Sequence, residues 1–218
     1  MADSTEIAGA SASPNAPQRQ SGLWAEIESL KSPEKKEVAE VPKIGVAAPS
    51  SDKIPLPDGK PTVIVFLRHC GCPFAEKVFK KLSALSHKQP KLHCIAVSHS
   101  SAETTEKWIP QVGGAWSTDV VVDESRDLYA QWGLGLSSVW HMSGPLVLWS
   151  VYRLGADEGV WNRPTESGTR WQIGGAFAVD EGGVVRYAHI AKAANDLPDL
   201  EAAAQAVGIT VAEGEAKP

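Results

Sequence analysis

Five consecutive apolar residues, Val63-Ile64-Val65-Phe66-Leu67, lead through one short turn into apolar positions at helical spacing: Phe74, Val78, Phe79, Leu82 and Leu85. An unbroken, largely β-branched run reads as a strand covered on both faces. The helical recurrence reads as an amphipathic helix packed on one of those faces. A strand covered twice and feeding a helix begins a layered domain, and the chain continues the pattern. Residues 92–97 form a second apolar strand. Ser100 and Glu103 form a capping box for a helix that ends near Pro110. Val120-Val121-Val122 is a third strand, and Asp123 caps a helix through Leu128, Tyr129 and Trp132 that stops at Gly133. Strands alternating with helices predict an α/β fold with a partly parallel sheet. Residues 176–179 and 184–187 flank Asp180-Glu181-Gly182-Gly183, a hairpin signal. A last helix over residues 200–207 stops at Gly208.

Residues 1–40 are rich in Ala, Ser, Pro, Glu and Lys and predict a mostly disordered tail. Within it Leu23, Trp24, Ile27 and Leu30 have the spacing of one short helix that docks on the domain or a partner. The domain then spans residues 41–210, and residues 211–218 form a second tail. The alternation of strand and helix fails over residues 134–171. This stretch holds Trp140, Trp149, Trp161 and Trp171, together with His141, Tyr152, Arg153, Arg163 and Arg170. It is too long for an ordinary loop and reads as an insertion. Two readings stay open: extra hydrophobic core, or a substrate wall of Trp faces and Arg donors with Trp140 and Arg170 as contacts.

The net charge of −5, without a basic stretch, argues against nucleic-acid binding. No apolar run approaches the roughly 18 residues that a membrane span needs. The start, MADSTEIAGASASP, lacks a basic segment followed by an apolar block, so a cytoplasmic location is expected. Three cysteines in a chain of 218 residues do not make a disulfide framework. In a reducing compartment, Cys70 and Cys72 read as catalytic, redox-active or metal-binding.

Those two cysteines stand in the turn His69-Cys70-Gly71-Cys72-Pro73-Phe74. Proline is favoured at the first helical position, so Cys72 is the expected N-cap. Free backbone N–H groups and the helix dipole favour a thiolate there. Arg68 adds a positive field, and His69 either does the same or carries a proton near neutral pH. The plainer alternative is an inert, half-buried cysteine at a tight turn. Cys70 either resolves an oxidised Cys72 through a strained Cys-x-Cys disulfide, which Gly71 permits, or fills space behind the turn. Cys94, inside the second strand, reads as core. His99 follows that strand at the sheet edge where open α/β sheets bind ligands. Pro73 and His99 therefore join Trp140 and Arg170 as candidate substrate-binding residues. His69, Cys70, Cys72 and His99 do not have the spacing of a zinc knuckle, and no metal or other cofactor is expected.

Taken together, these segments resemble the thioredoxin-like superfamily, and within it the peroxiredoxin-like branch related to alkyl hydroperoxide reductase and thiol-specific antioxidant proteins. The matching pieces are Gly45-Val46-Ala47-Ala48-Pro49, Leu56-Pro57-Asp58-Gly59-Lys60, and Val65-Phe66-Leu67-Arg68-His69 leading into Gly71-Cys72-Pro73-Phe74. Ala96-Val97-Ser98-His99-Ser100 and Gly174-Gly175-Ala176-Phe177 also fit. The resemblance implies a three-layer α/β/α fold with a central mixed sheet, here carrying the Trp-rich insertion before the final hairpin. The chain departs from the pattern at four places. Ala75 stands where many relatives carry a second cysteine. His69 and Val65 stand where typical peroxiredoxins carry Thr or Ser and Pro. Ile173-Gly174-Gly175 stands where thioredoxins carry a cis-proline.

The leading expectation is a thiol oxidoreductase in which Cys72 reduces a peroxide or disulfide, with Cys70, Arg68 and His69 assisting. An external thiol reductant is an expected partner, and a homodimer stays open. One alternative is a tailoring enzyme of small-molecule metabolism acting on an organic substrate. Another is a non-enzymatic thioredoxin-like binding module.

Overall fold

Every residue of β1, Thr62–Phe66, is buried, as a strand covered on both faces requires. The computed structural model describes residue 27, residues 29–138 and residues 145–210. Among them β1 is the centre of a five-stranded mixed sheet with β2 (His93–Ser98), β3 (Thr118–Val122), β4 (Gly175–Val179) and β5 (Val185–Ile190), in the order β3-β2-β1-β4-β5. β1, β2 and β3 run parallel, while β4 pairs antiparallel with β1 and β5. The helices are α1 (Pro73–Lys88), α2 (Ala102–Gln111), α3 (Asp127–Gln131), α4 (Pro145–Glu158) and α5 (Leu200–Ala206).

Alternate β1 side chains feed two cores. Val63 and Val65 pack with Phe79 and Leu82 of α1, Trp108 of α2 and Ala203 of α5. Ile64 and Phe66 pack on the other face with Tyr129 of α3, Trp132 and Phe177. This is the three-layer α/β/α arrangement that the resemblance implied, around the partly parallel sheet that the strand and helix patterns predicted. Complete burial of Phe79 and Leu82 contributes about 1.5–3 kcal/mol each. That anchorage fixes α1, and with it Cys72, over the C-terminal end of β1.

Several expected boundaries shift for local reasons. Ser101, rather than Ser100, caps α2, accepting from the Thr104 N–H at 3.3 Å. Asp123 does not begin α3. Its carboxylate accepts from the Leu128 and Tyr129 N–H groups at 2.8 and 3.4 Å, so it caps from outside while the helix starts at Asp127. The hairpin stands where expected, because Asp180 Oδ1 accepts from the Gly182 and Val184 N–H groups at 3.0 and 2.9 Å.

The ends of the insertion meet where Leu136 bridges Gln172. Between them α4 buries Val147 and Leu154 against the first core. The tryptophans do not add core as a group: Trp149 is 60% exposed and Trp161 53%. Trp140 and His141 lie outside the described residues, as do Leu23, Trp24 and the stretch 211–218. Residues 29–40 lie along the domain. The Arg170 N–H and Trp171 Nε1 donate to the carbonyls of Ser29 and Leu30 at 3.2 and 3.0 Å. Further along, the Ala39 N–H donates to the Ala130 carbonyl at 2.9 Å.

Candidate active site

The turn after β1 closes when the Cys72 N–H donates to the His69 carbonyl at 3.1 Å. Cys72 is then the N-cap of α1 with Pro73 at its first position, as the sequence implied. Its carbonyl accepts from the Glu76 N–H at 3.0 Å, the first bond of the helix. The thiol is buried, and Arg68 Nη1 lies 3.4 Å from Sγ. The Arg68 guanidinium thus faces the sulfur of the residue that opens α1, a thiol that makes no capping hydrogen bond to the helix itself.

Arg68 is held from the other side by the insertion. Its Nη2 donates to the Arg170 carbonyl at 2.8 Å. Its Nε is buried with no hydrogen-bond partner among the described residues. Gly174, at the place where thioredoxins carry proline, gives it room: a β-carbon there would lie 3.4 Å from Arg68 Cγ and 2.9 Å from the Phe66 carbonyl.

The two cysteines face different surroundings. The Cys70 N–H donates to Ser100 Oγ at 3.1 Å, and its Sγ lies 3.5 Å from Ser98 Oγ and 3.8 Å from Thr105 Oγ1. Burial pushes the Cys70 thiol up, against the pull of these hydroxyls, so Cys70 is kept as a thiol. Cys94 is core, its thiol pushed up by burial to about 12.

His69 corrects the expectation of a second positive field. It is fully buried, and burial, with Arg68, His99 and Arg170 nearby, holds it well below the usual imidazole range. At neutral pH it is a neutral ring, with Nδ1 3.4 Å from Thr165 Oγ1. His99 is buried beside it, pushed down by burial to about 4, and its Nε2 lies 3.0 Å from the Thr169 carbonyl. Arg170 reaches the site through its backbone. Its guanidinium donates through Nε to Ser29 Oγ and through Nη2 to Thr165 Oγ1, both at 3.0 Å, and so stands behind the hydroxyl that neighbours His69. Pro73 is buried at the helix start, and Trp140 lies outside the described residues.

Residues 163–170 cover the turn. The Arg163 N–H donates to the Gly71 carbonyl at 3.0 Å, and its side chain pairs with Glu76 at 3.0 Å. Lys80 holds the same carboxylate at 2.6 Å. Burial raises the Glu76 carboxyl, but Arg163 and Lys80 pull it below the usual range, so it stays ionised. Glu76 and Thr165 escaped the sequence reading, and Arg163 stood there only as one of the arginines of the insertion. The i, i+4 spacing of Glu76 and Lys80 on α1 was a signal for the first of them. No group of three or more His, Cys, Asp or Glu side chains able to hold a metal stands among the described residues. No described helix is long and apolar enough to cross a membrane.

The comparisons agree with this architecture. The family model for AhpC/TSA antioxidant enzymes matches residues 80–193, just over half of the chain, starting within α1 beyond Cys72. Among curated proteins none matches the chain. Among solved structures, a thiol peroxidase from Chromobacterium violaceum is similar, with a TM-score of 0.52 and 16% identity over 78% of this chain and 89% of that one. A peroxiredoxin-like protein from Aquifex aeolicus has a TM-score of 0.51 and 14% identity over 78% and 88% of the two chains. Peroxiredoxin 6 of Arenicola marina has a TM-score of 0.53 and 13% identity over 75% and 71%. These identities speak for the fold alone. With the family model spanning more than half its length, the chain belongs to the AhpC/TSA antioxidant enzyme family and serves a thiol-dependent redox function.

Proposed function

We propose that the protein is a thiol peroxidase whose reacting atom is Cys72 Sγ. The observation that carries this reading is the Arg68 guanidinium 3.4 Å from that sulfur, at the N-terminus of α1. The thiolate attacks the terminal oxygen of a hydroperoxide. An S–O bond forms and the O–O bond breaks. The departing alkoxide or hydroxide takes up a proton, so peroxide becomes alcohol or water and Cys72 becomes a sulfenic acid. Arg68 holds charge on the attacking sulfur and on the oxygen that leaves.

Ala75 denies α1 a second thiol in its first turn, so disulfide exchange through a Cys-x-x-Cys pair has no residues to use. Cys70 points at Ser98 and Thr105 and is kept protonated, which makes it a poor attacker of the sulfenic acid. The second half of the cycle therefore falls to an external thiol. One equivalent forms a mixed disulfide with Cys72 and releases water. A second restores the Cys72 thiol and leaves as the external disulfide. An antioxidant role in a reducing, cytoplasmic setting suits that chemistry.

The test pairs kinetics with mass. Cys72→Ser should abolish thiol-dependent peroxide reduction. One equivalent of peroxide should add one oxygen to the wild-type peptide that carries Cys72. A loss of two hydrogens there would move resolution to Cys70. Unchanged turnover in Cys72→Ser would overturn the assignment.

A further inference from the structure

No residue of 29–40 belongs to either hydrophobic core, and the stretch matched by the family model begins only at residue 80. Yet Ser29 is 1% exposed. Serine in a surface strap ordinarily faces water, and this one is closed in by the segment that covers the turn. The Arg170 N–H donates to the Ser29 carbonyl at 3.2 Å, and Arg170 Nε donates to Ser29 Oγ at 3.0 Å. Ser29 thus grips Arg170 by its backbone and by its side chain at once, across 141 positions of sequence. Beside it Trp171 Nε1 donates to the Leu30 carbonyl at 3.0 Å.

Arg170 carries the contact on to the turn. Its carbonyl accepts from Arg68 Nη2 at 2.8 Å, and Arg68 Nη1 lies 3.4 Å from Cys72 Sγ. Among the described residues Arg68 Nε has no hydrogen-bond partner, so the fork is held at its two Nη atoms, by the sulfur and by the Arg170 carbonyl. The carbonyl is then the oxygen that aims the guanidinium. Hydrogen bonds weaken steeply when misaligned, and the pull of a charge falls with distance. Whatever fixes Arg170 therefore decides how well Arg68 meets Cys72.

We infer that Ser29 is a positioning residue for the reaction at Cys72: by holding Arg170 it sets the carbonyl that aims the Arg68 guanidinium at the sulfur. The inference rests on the reading of Cys72 as the reacting thiol and deepens it. The segment before the domain is then part of the active site rather than a tail beside it. Ser29→Ala removes the acceptor of Arg170 Nε and leaves both cores intact, so the variant folds and its effect is read at the sulfur.

The test is the pH profile of Cys72 alkylation by iodoacetamide, with fragment masses separating Cys72 from Cys70, together with hydrogen peroxide kinetics. In Ser29→Ala the midpoint of the profile should move up by about half a pH unit, a part of the roughly one to three units that an adjacent guanidinium typically supplies. Below that midpoint kcat/KM should fall by about threefold, the change in thiolate that half a unit brings. In an Arg68→Ala background Ser29→Ala should add no shift, because the two residues act through one group. A strap that merely holds the cover shut would instead raise the alkylation rate of Ser29→Ala at every pH and leave the midpoint in place, and that result overturns the inference. A shift of equal size with and without Arg68 overturns it too. If the wild type reduces no peroxide while the midpoint still follows Ser29, the peroxidase reading falls and the positioning role stands. If peroxide is reduced and the midpoint ignores Ser29, the positioning role alone falls.

Discussion

The Arg68 guanidinium ties the Cys72 sulfur, at 3.4 Å, to the Arg170 carbonyl, at 2.8 Å. One planar group thus joins the reacting atom to the segment that covers it. Arg68→Ala removes the donor that faces the developing charge, and kcat/KM for peroxide should fall by about a hundredfold, the usual loss for one such donor. Arg68→Lys keeps the charge but not the fork, so it should fall between the two. Steady-state kinetics with a circular dichroism check on folding decides this. An Arg68→Ala enzyme close to wild-type efficiency would remove Arg68 from the mechanism.

Gly71 has φ +122°, and a β-carbon there would stand 3.0 Å from the Pro164 carbonyl and 3.1 Å from that of Arg163. Gly71→Ala meets backbone on one side and a disfavoured conformation on the other. The expected cost is about 1–3 kcal/mol. At about 2–4 °C per kcal/mol for a chain of this size, Tm should drop by several degrees. Because the carbonyls belong to the cover, Cys72 should also react faster with a thiol reagent. An unshifted melting curve would mean that the turn and its cover move apart freely.

The residues that made the fold readable are those whose pattern is local. Val63 to Leu67 announced a buried strand because the run itself is apolar at every position, as a strand covered on both faces requires. Cys72-Pro73 announced its own N-cap because proline is favoured at the first helical position. Asp123 shows where local reading slips. It caps from four residues before Asp127, a geometry that looks in sequence like an ordinary helix start. The cover was less legible still. Arg163 lies 87 positions from Glu76, and nothing near either residue signals that pair. His69 read as either a cation or a proton carrier near neutral pH, because composition does not reveal the burial that keeps its ring neutral. Trp149 stayed open between core and substrate wall, because sequence alone does not tell a buried ring from an exposed one.

Tyr129 offers a test of how the site is supported from below. Its hydroxyl stands 2.6 Å from the Leu67 carbonyl and 2.8 Å from that of Val97, where β1 and β2 end under the turn. Burial holds this phenol well above its usual range, so it remains a donor at any working pH. Tyr129→Phe keeps the ring and removes the one O–H that the two carbonyls share, while the Val97 carbonyl keeps the Leu67 N–H at 2.9 Å. A loss of about 1–3 kcal/mol in urea unfolding is expected. A Phe variant as stable as the wild type would mean that water takes the place of the hydroxyl.

His99 is expected to weaken the fold in acid. In the folded chain burial pushes it down to about 4, helped by Arg126 and Arg68, against an ordinary value of 6.5. Between those two values the unfolded chain holds a proton that the folded chain refuses. Stability from this residue is therefore fully present above pH 6.5 and is lost as pH falls towards 4. The shift corresponds to about 3 kcal/mol across that window. Buried His69, shifted in the same direction, steepens the same slope. Urea unfolding at a series of pH values from neutral to 4 should show this decline. His99→Gln lacks the titrating proton, so its curve should start lower at neutral pH and fall less steeply on acidification. Equal slopes for the two proteins would assign acid sensitivity to other groups and leave His99 as a packed ring against Tyr129.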